Sequence, residues 1–368
     1  VRDHPRIAFL VNGPPGCAMS VRAREFATRL SYEYECRILH RGSRKFSSIA
    51  MFVRELRAFD ADLVYVIDLA YSGVAAAMAY RAWCHLPWIL DTGDAVSALA
   101  RSVGGRGWLG EKATDALEWS ALRCANALVV RGTFHQQSLR SGGFRATVVQ
   151  DGVDVERCQA DADVSELRRA LNLEGCFTVG ILGSSLWSER LQSAVGWELV
   201  ELLRHVRDLP LKAILIGDGS GIPHLRKRCR QYGVEDRMVF IDRVPYNLTH
   251  RYLRLLDVAV STQTNDAVGW SRTTGKLPLY MAAGRYVLAT DVGEATLVLP
   301  ACMRVPYVGV RDEAYPERLA VRLRELMKSP DRESLGASLV ERCKEAFDYD
   351  VLTQRLRSVL HSSLAGSV

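Results

Sequence analysis

Thr273, Thr274, Gly275 and Lys276 place two hydroxyls, a glycine and an ammonium at the head of a pattern, Leu277, Tyr280 and Met281, that predicts a helix. A helix start carries backbone N–H groups with no partner inside the helix, and a cation beside them makes a grip for an anion. A strand ending near Thr262 feeds this start through a polar turn that contains Asn265 and Arg272. The spacing reads as a diphosphate site. Elsewhere, Gly13-Pro14-Pro15-Gly16 follows an apolar run and would let backbone approach a ligand closely, or serve only as turn chemistry. Asp91 and Asp94 follow the run Trp88 to Leu90, where they either orient acceptor hydroxyls or cap a helix over residues 95–100. Asp94 lies further into the loop and is the candidate for contact with sugar. Arg131 ends another run and is read as an anion contact or a solvated charge.

These groups need strands to carry them, and short apolar runs alternate with helical patterns along the whole chain. Residues 7–12, 37–40, 63–67, 88–90 and 127–130 form a first strand series, with a helix over 20–30. Residues 177–182, 212–216, 238–241, 258–261 and 286–289 form a second, and the polar segment 156–164 reads as the linker. The reading is α/β, with residues 1–155 and 156–348 as two doubly wound domains and a cleft at the carboxyl ends of their strands. The chain's 368 residues suffice for two cores. Its net charge of +6 favours anionic partners, but the arginines are dispersed rather than gathered into a nucleic-acid patch. Nine cysteines stand singly without C-x-x-C spacing and eight histidines do not cluster, which predicts reduced thiols, no metal site and a cytoplasmic protein. The longest apolar region, 61–80, is broken by Asp62, Asp68 and Tyr71-Ser72-Gly73, so no span of a bilayer is expected.

The run from Lys276 through Gly293, K-L-P-L-Y-M-A-A-G-R-Y-V-L-A-T-D-V-G, resembles the K-L-x-E-Y-M-A-A-G-K-P-V-V-A-T-D-x-G stretch of family 4 glycosyltransferases, retaining enzymes of the GT-B fold. Gly180 to Ser184 is similar to the family's G-x-x-G-S, Gly217-Asp218-Gly219 to its G-D-G, residues 238–245 to its V-x-F-x-G-x-V, and Val148 to Asp154 to its V-I-P-N-G-V-D. The resemblance implies two Rossmann-like domains facing a central cleft, with the helix of 349–368 packing back on the first. It implies a donor site of Gly183, Ser184, Arg243, Val244, Pro245, Asn265, Arg272, Thr273, Thr274 and Gly275, with Gly13 and Gly16 across from it. Asp94, Arg190 and Lys276 are the candidate catalytic residues. Trp187, beside Arg190, would stack on a ring or simply pack. The chain departs from the family at Leu279, where the pattern has a glutamate that holds the nucleotide ribose, and at Ser271, where it has another.

The activity so implied is metal-independent transfer of a sugar, with retention, from a nucleoside diphosphate sugar, UDP- or GDP-linked, to a hydroxyl of a glycan, glycolipid or small molecule. Nucleic acid is not an expected partner. Contact with the inner face of a membrane would be ordinary for such an enzyme, although no helix here is rich enough in lysine and aromatics to claim it. Two rivals remain: a sugar-nucleotide epimerase or hydrolase of the same fold, and a non-catalytic sugar-nucleotide-binding protein, for which the loss at Leu279 would record lost turnover.

Overall fold

Two six-stranded parallel sheets organise the chain. The computed structural model describes residues 4–94, 97, 107–160 and 163–366. Chain contacts divide it into two units. One comprises the chain through Gly152, with Ser271–Thr273 and the segment from Phe347 on; the other comprises Val153–Trp270 and Thr274–Ala346.

In the first unit the strands are β1 (Arg6–Val11), β2 (Glu35–His40), β3 (Leu63–Ile67), β4 (Trp88–Thr92), β5 (Ala127–Val130) and β6 (Thr147–Val148), in the order β2-β1-β3-β4-β5-β6. Between them run α1 (Ala18–Leu30), α2 (Lys45–Phe59), α3 (Tyr71–Cys84), α4 (Trp108–Cys124) and α5 (Thr133–Ser141). Helices on both faces explain why β3 is apolar and buried at every position. The period-two alternation of β1 divides its side chains between two cores. Ile7, Phe9 and Val11 meet Phe26 and Leu30 of α1. Ala8 and Leu10 meet Phe52 and Leu56 of α2 and Ala77 of α3.

The second unit contains β7 (Phe177–Leu182), β8 (Leu211–Ile216), β9 (Met238–Ile241), β10 (Val258–Ser261), β11 (Tyr286–Thr290) and β12 (Arg304–Val305), in the order β12-β11-β10-β7-β8-β9. Its helices are α6 (Val155–Gln159), α7 (Ser165–Ala170), α8 (Trp197–His205), α9 (Ile222–Tyr232), α10 (Thr249–Leu253), α11 (Ala267–Ser271), α12 (Lys276–Ala282), α13 (Ala295–Val298), α14 (Tyr315–Leu326) and α15 (Arg332–Phe347). The segment expected to be a polar linker instead opens with α6. Asp154 caps it by accepting from Arg157 N, and Val155 and Cys158 are buried, so two apolar residues in a polar run suffice to dock one turn. The two-residue strands β6 and β12 are too short to leave a pattern in sequence. The helix expected over residues 95–100 lies, apart from Ser97, outside the described residues.

Helix α16 (Tyr349–Ala365) returns to the first sheet. Tyr349, Leu352, Leu356 and Leu360 form one stripe and are buried among Ile7, Phe9 and Phe26. The Tyr349 ring meets Phe26 edge-on at 5.4 Å. Gly152 passes so close beneath that a β-carbon there would come 2.7 Å from the Tyr349 ring. All nine cysteines are unpaired thiols, and burial pushes those of Cys36 and Cys158 up to about 12.

Leu356→Ala empties a fully buried position in this stripe. It should cost the first unit about 2–5 kcal/mol, read by hydrogen exchange as faster opening of the β1 amides with those of β7 unchanged.

Candidate functional site

Strand order marks a candidate site in the second unit. The order reverses between β7 and β10, and parallel sheets bind ligands outside the carboxyl ends of the strands at such a reversal. Gly183 follows β7 there with φ +145°, and Gly217 and Gly219 follow β8 with φ +146° and +143°. These turns lie in contact. A β-carbon on Gly217 would come 2.2 Å from Gly183 O, and one on Gly219 2.2 Å from Ser185 O. Backbone bonds lock the stack: Gly183 N donates to Ile216 O (2.9 Å), Ser185 N to Asp218 O (2.7 Å) and Gly221 N to Ser185 O (2.7 Å). Helix α12 is tied to the same edge because Leu182 N donates to the buried Tyr280 hydroxyl at 2.7 Å. This brings Lys276, the first residue of α12, beside the turn, with Nζ 3.9 Å from where a side chain at 183 would begin. A bare backbone turn with an ammonium over it leaves room for a compact anion.

The other candidates fall around this pair or elsewhere. Ser184 is exposed in the same turn, and Thr273, Thr274 and Gly275 are half-buried on the approach to α12. The amide of Gly183 is spent on Ile216, so this glycine contributes by lacking a side chain rather than by donating. Arg190 is exposed in the turn that Ser188 and Ser193 close, at 2.8 Å from Ser188 N to Ser193 O. Trp187 stacks on His224, centroids 3.8 Å apart, so its ring packs within the protein. Arg243, Val244 and Pro245 form the loop that leaves β9. Asn265 holds its own loop: Nδ2 donates to Tyr307 O and Oδ1 accepts from Trp270 Nε1, both at 2.8 Å. Its amide group therefore has structural partners at both ends. Leu279 is half-buried on α12.

In the first unit, Gly16 has φ +81° in the turn after β1, and Gly13 packs against Cys17, whose Sγ is 2.8 Å from the site of a β-carbon. Turn geometry accounts for both. Arg272 Nε lies 3.3 Å from Asp94 Oδ1, so two candidates read separately in sequence neutralise each other. Arg131 is neither a solvated charge nor an open anion contact. It is buried, with NH2 2.7 Å from Asp68 Oδ1, and Nε 3.2 Å from Asp91 Oδ1 and 3.6 Å from Asp151 Oδ1. Asp91 is fully buried, and its Oδ2 accepts from Arg22 Nε and the Tyr65 hydroxyl, each at 2.7 Å. Burial alone would push this carboxyl up, but Arg22 and Arg131 outweigh it and hold it below the usual range. With its lone pairs so occupied, Asp91 is a structural counter-charge rather than a group for acceptor hydroxyls.

Sequence reasoning missed Glu198, in the first turn of α8 and only 2% exposed. Its Oε2 accepts from Gly196 N at 3.0 Å. Burial pushes the carboxyl above its ordinary value, against the pull of Thr262 and Lys276. The only signal in sequence was an acid two residues past a glycine at a helix start, which is ordinary capping. Among the described residues, no group of three His, Cys, Asp or Glu side chains could hold a metal ion, and no helix is long and apolar enough to cross a membrane.

A model of the family described as glycosyl transferases group 1 matches residues 178–329. No curated protein matches the chain in sequence. Among solved structures, sucrose-phosphate synthase from Thermosynechococcus elongatus superposes with a TM-score of 0.80 at 15% identity, covering 99% of this chain and 100% of that one. The GT-B fold is thereby assigned. HepE from Anabaena in complex with UDP and glucose gives 0.75 at 18% identity over 98% and 100% of the two chains. A glycosyltransferase from Rickettsia africae gives 0.71 at 11% over 99% of each. The strand reversal between β7 and β10 lies inside the segment that the family model matches.

The Asp91 network makes a test of the first unit. Because folding depresses this carboxyl, its contribution is fully present above the unfolded value of about 4 and is lost as pH falls through the lower folded value. Asp91→Asn leaves two buried guanidiniums short of a counter-charge and should cost about 3–5 kcal/mol at pH 7. Urea unfolding from pH 7 to pH 3 should show the gap between the two proteins narrowing with acid.

Proposed function

We propose that this GT-B protein is a retaining glycosyltransferase that moves a sugar from a nucleoside diphosphate sugar, UDP- or GDP-linked, to an acceptor hydroxyl without a metal. The observation that carries this is the Lys276 ammonium held over the side-chain-free Gly183 turn at the β7–β10 reversal. HepE, similar in fold, is in complex with UDP and glucose in its own structure, which supports a nucleotide sugar as the ligand here.

The chemistry follows from the charge. As the bond from the anomeric carbon to the phosphate oxygen breaks, negative charge grows on the diphosphate, and a fixed cation stabilises it more in the transition state than in the donor. Lys276 is assigned that role, with Thr273, Thr274 and Gly275 framing the phosphates and Arg190 as a further cation. The acceptor hydroxyl attacks the same carbon face as the leaving group departs, and its proton passes to the departing phosphate oxygen, so no protein base is required. We assign the base of the nucleotide to the Arg243–Pro245 loop.

Leu279 favours a second reading, a sugar-nucleotide-binding protein without turnover. A carboxylate accepts hydrogen bonds from two ribose hydroxyls and leucine accepts none. Within the enzyme reading, the same replacement relaxes the preference for ribose over deoxyribose.

Binding of UDP, GDP, ADP and dTDP, each also as a sugar conjugate, to wild type and Lys276→Ala decides among these. At least one nucleotide should bind the wild type, and the variant should bind it about ten- to a hundredfold more weakly for loss of a charge-assisted contact. A variant that binds as well as wild type refutes the donor site. Binding without transfer to any acceptor supports the second reading, and release of free sugar in water alone indicates a hydrolase.

A further inference from the structure

Every exposed tryptophan of the chain stands on one layer of the first unit. Trp83 lies at the end of α3 with 71% exposure, and Trp108 and Trp119 lie on α4 with 69% and 60%, whereas Trp88 and Trp197 are buried and Trp187 and Trp270 half-buried. The two helices pack side by side over the same sheet face, on the core that holds Leu10, Val66 and Leu90. Arg81 of α3 joins their ends, with NH1 donating to Cys124 O at the end of α4 and to Asn126 Oδ1 at 2.7 Å.

Helical spacing gives α4 two unlike faces. Thr114 and Ala121 are buried on one side. On the other, Leu109, Lys112, Ala116, Trp119 and Arg123 recur every three or four residues and are all exposed. The acids of α4, Glu111, Asp115 and Glu118, fall outside this stripe and are half-buried, and α3 contains no acid at all. The outward face of the pair is therefore apolar and cationic. Arg57 of α2 lies over the Trp83 ring, 3.9 Å from its centroid, and Arg123 over that of Trp119 at 5.2 Å. Neither guanidinium, nor the Lys112 ammonium, has an ion-pair partner among the described residues.

Whatever covers such a face must supply negative charge and also take up indole rings. A second copy of this chain seated on it would set like charges against each other. A dry protein interface would bury three unpaired cations, at high cost. An anionic bilayer meets both demands, because indole rings settle at headgroup level while ammonium and guanidinium groups reach phosphates at the same depth. An arginine stacked on a ring keeps its N–H edges for such a phosphate. The net charge of +6 adds a general attraction to the same surface. No single helix shows this in its composition, since it depends on which residues of α3 and α4 face outward.

We infer that the outward face of α3 and α4 docks on an anionic phospholipid membrane, with Trp83, Trp108 and Trp119 as interfacial anchors and Arg57, Lys112 and Arg123 as headgroup contacts. The inference does not rest on the nucleotide-sugar reading, and either can fail alone.

The test is co-sedimentation of the full chain with vesicles of phosphatidylcholine alone and of equal parts phosphatidylcholine and phosphatidylglycerol. Wild type should pellet with the mixed vesicles and not with phosphatidylcholine alone, and less as salt is raised. Lys112→Glu combined with Arg123→Glu should weaken binding at least about thirtyfold, since each basic residue near such a surface is worth about fivefold. Trp83→Ser combined with Trp119→Ser should weaken it at least about tenfold. All four side chains are exposed, so the unfolding midpoints should stay near that of wild type. Failure to pellet with the mixed vesicles, equal pelleting with both kinds, or variants that pellet like wild type overturns the inference. So does a dimer in sedimentation velocity that the tryptophan variant dissolves, because a second copy then covers the face. Should the variants fail to fold, wild type decides: quenching of its tryptophan emission by phosphatidylglycerol brominated along the acyl chains supports docking, and unchanged emission overturns it.

Discussion

The contact between two glycine turns governs the second unit. Parallel pairing sets Leu182 opposite Ile216, which brings the turns after β7 and β8 into register at the sheet edge. No β-carbon fits at 217 or 219 once they meet, and the positive φ at 183, 217 and 219 is backbone that glycine adopts with little strain. Everything at the site is placed from there. The Tyr280 hydroxyl binds the last amide of β7, which fixes α12, and α12 fixes Lys276 beside the Gly183 turn.

The first unit treats its strand ends in the opposite way. Where the second leaves a bare turn, the first fills the ends of β3, β4 and β5 with guanidiniums and carboxylates that satisfy one another. Arg22, Asp91, Arg131 and Asp68 form a continuous chain of ion pairs, and Arg22 also donates to Val149 O and Gln150 O, which ties the chain leaving the unit to its own centre. Removing several charges from water is costly, and only saturation of their hydrogen-bonding positions makes the arrangement tenable. That saturation sets this edge in one geometry.

Much of this was legible in sequence because it is local. Continuous apolar runs such as Leu63–Ile67 and Phe177–Leu182 mark buried parallel strands, and Thr273 to Lys276 reads as a helix start whatever surrounds it. What failed was non-local. Arg131 looks the same in sequence whether it meets solvent, a ligand or three aspartates from elsewhere in the chain. Asn265 seemed available until Tyr307 and Trp270 claimed both ends of its amide. Glu198 resembles any acid in a first helical turn, and only the folded chain around it removes its water. The α6 turn was missed because burial of two residues in a polar stretch depends on what they land on.

The return of α16 also settles an order of events during synthesis. Ile7, Phe9 and Phe26 lie under Tyr349, Leu352 and Leu356, so β1 is roofed by a helix that is synthesised long after it. The second unit is in effect an insertion between parts of the first, and it can assemble while its host is still open. A ribosome making this chain must therefore carry one exposed apolar sheet face until translation passes residue 360, and for that interval the nascent chain depends on whatever shields such faces from one another.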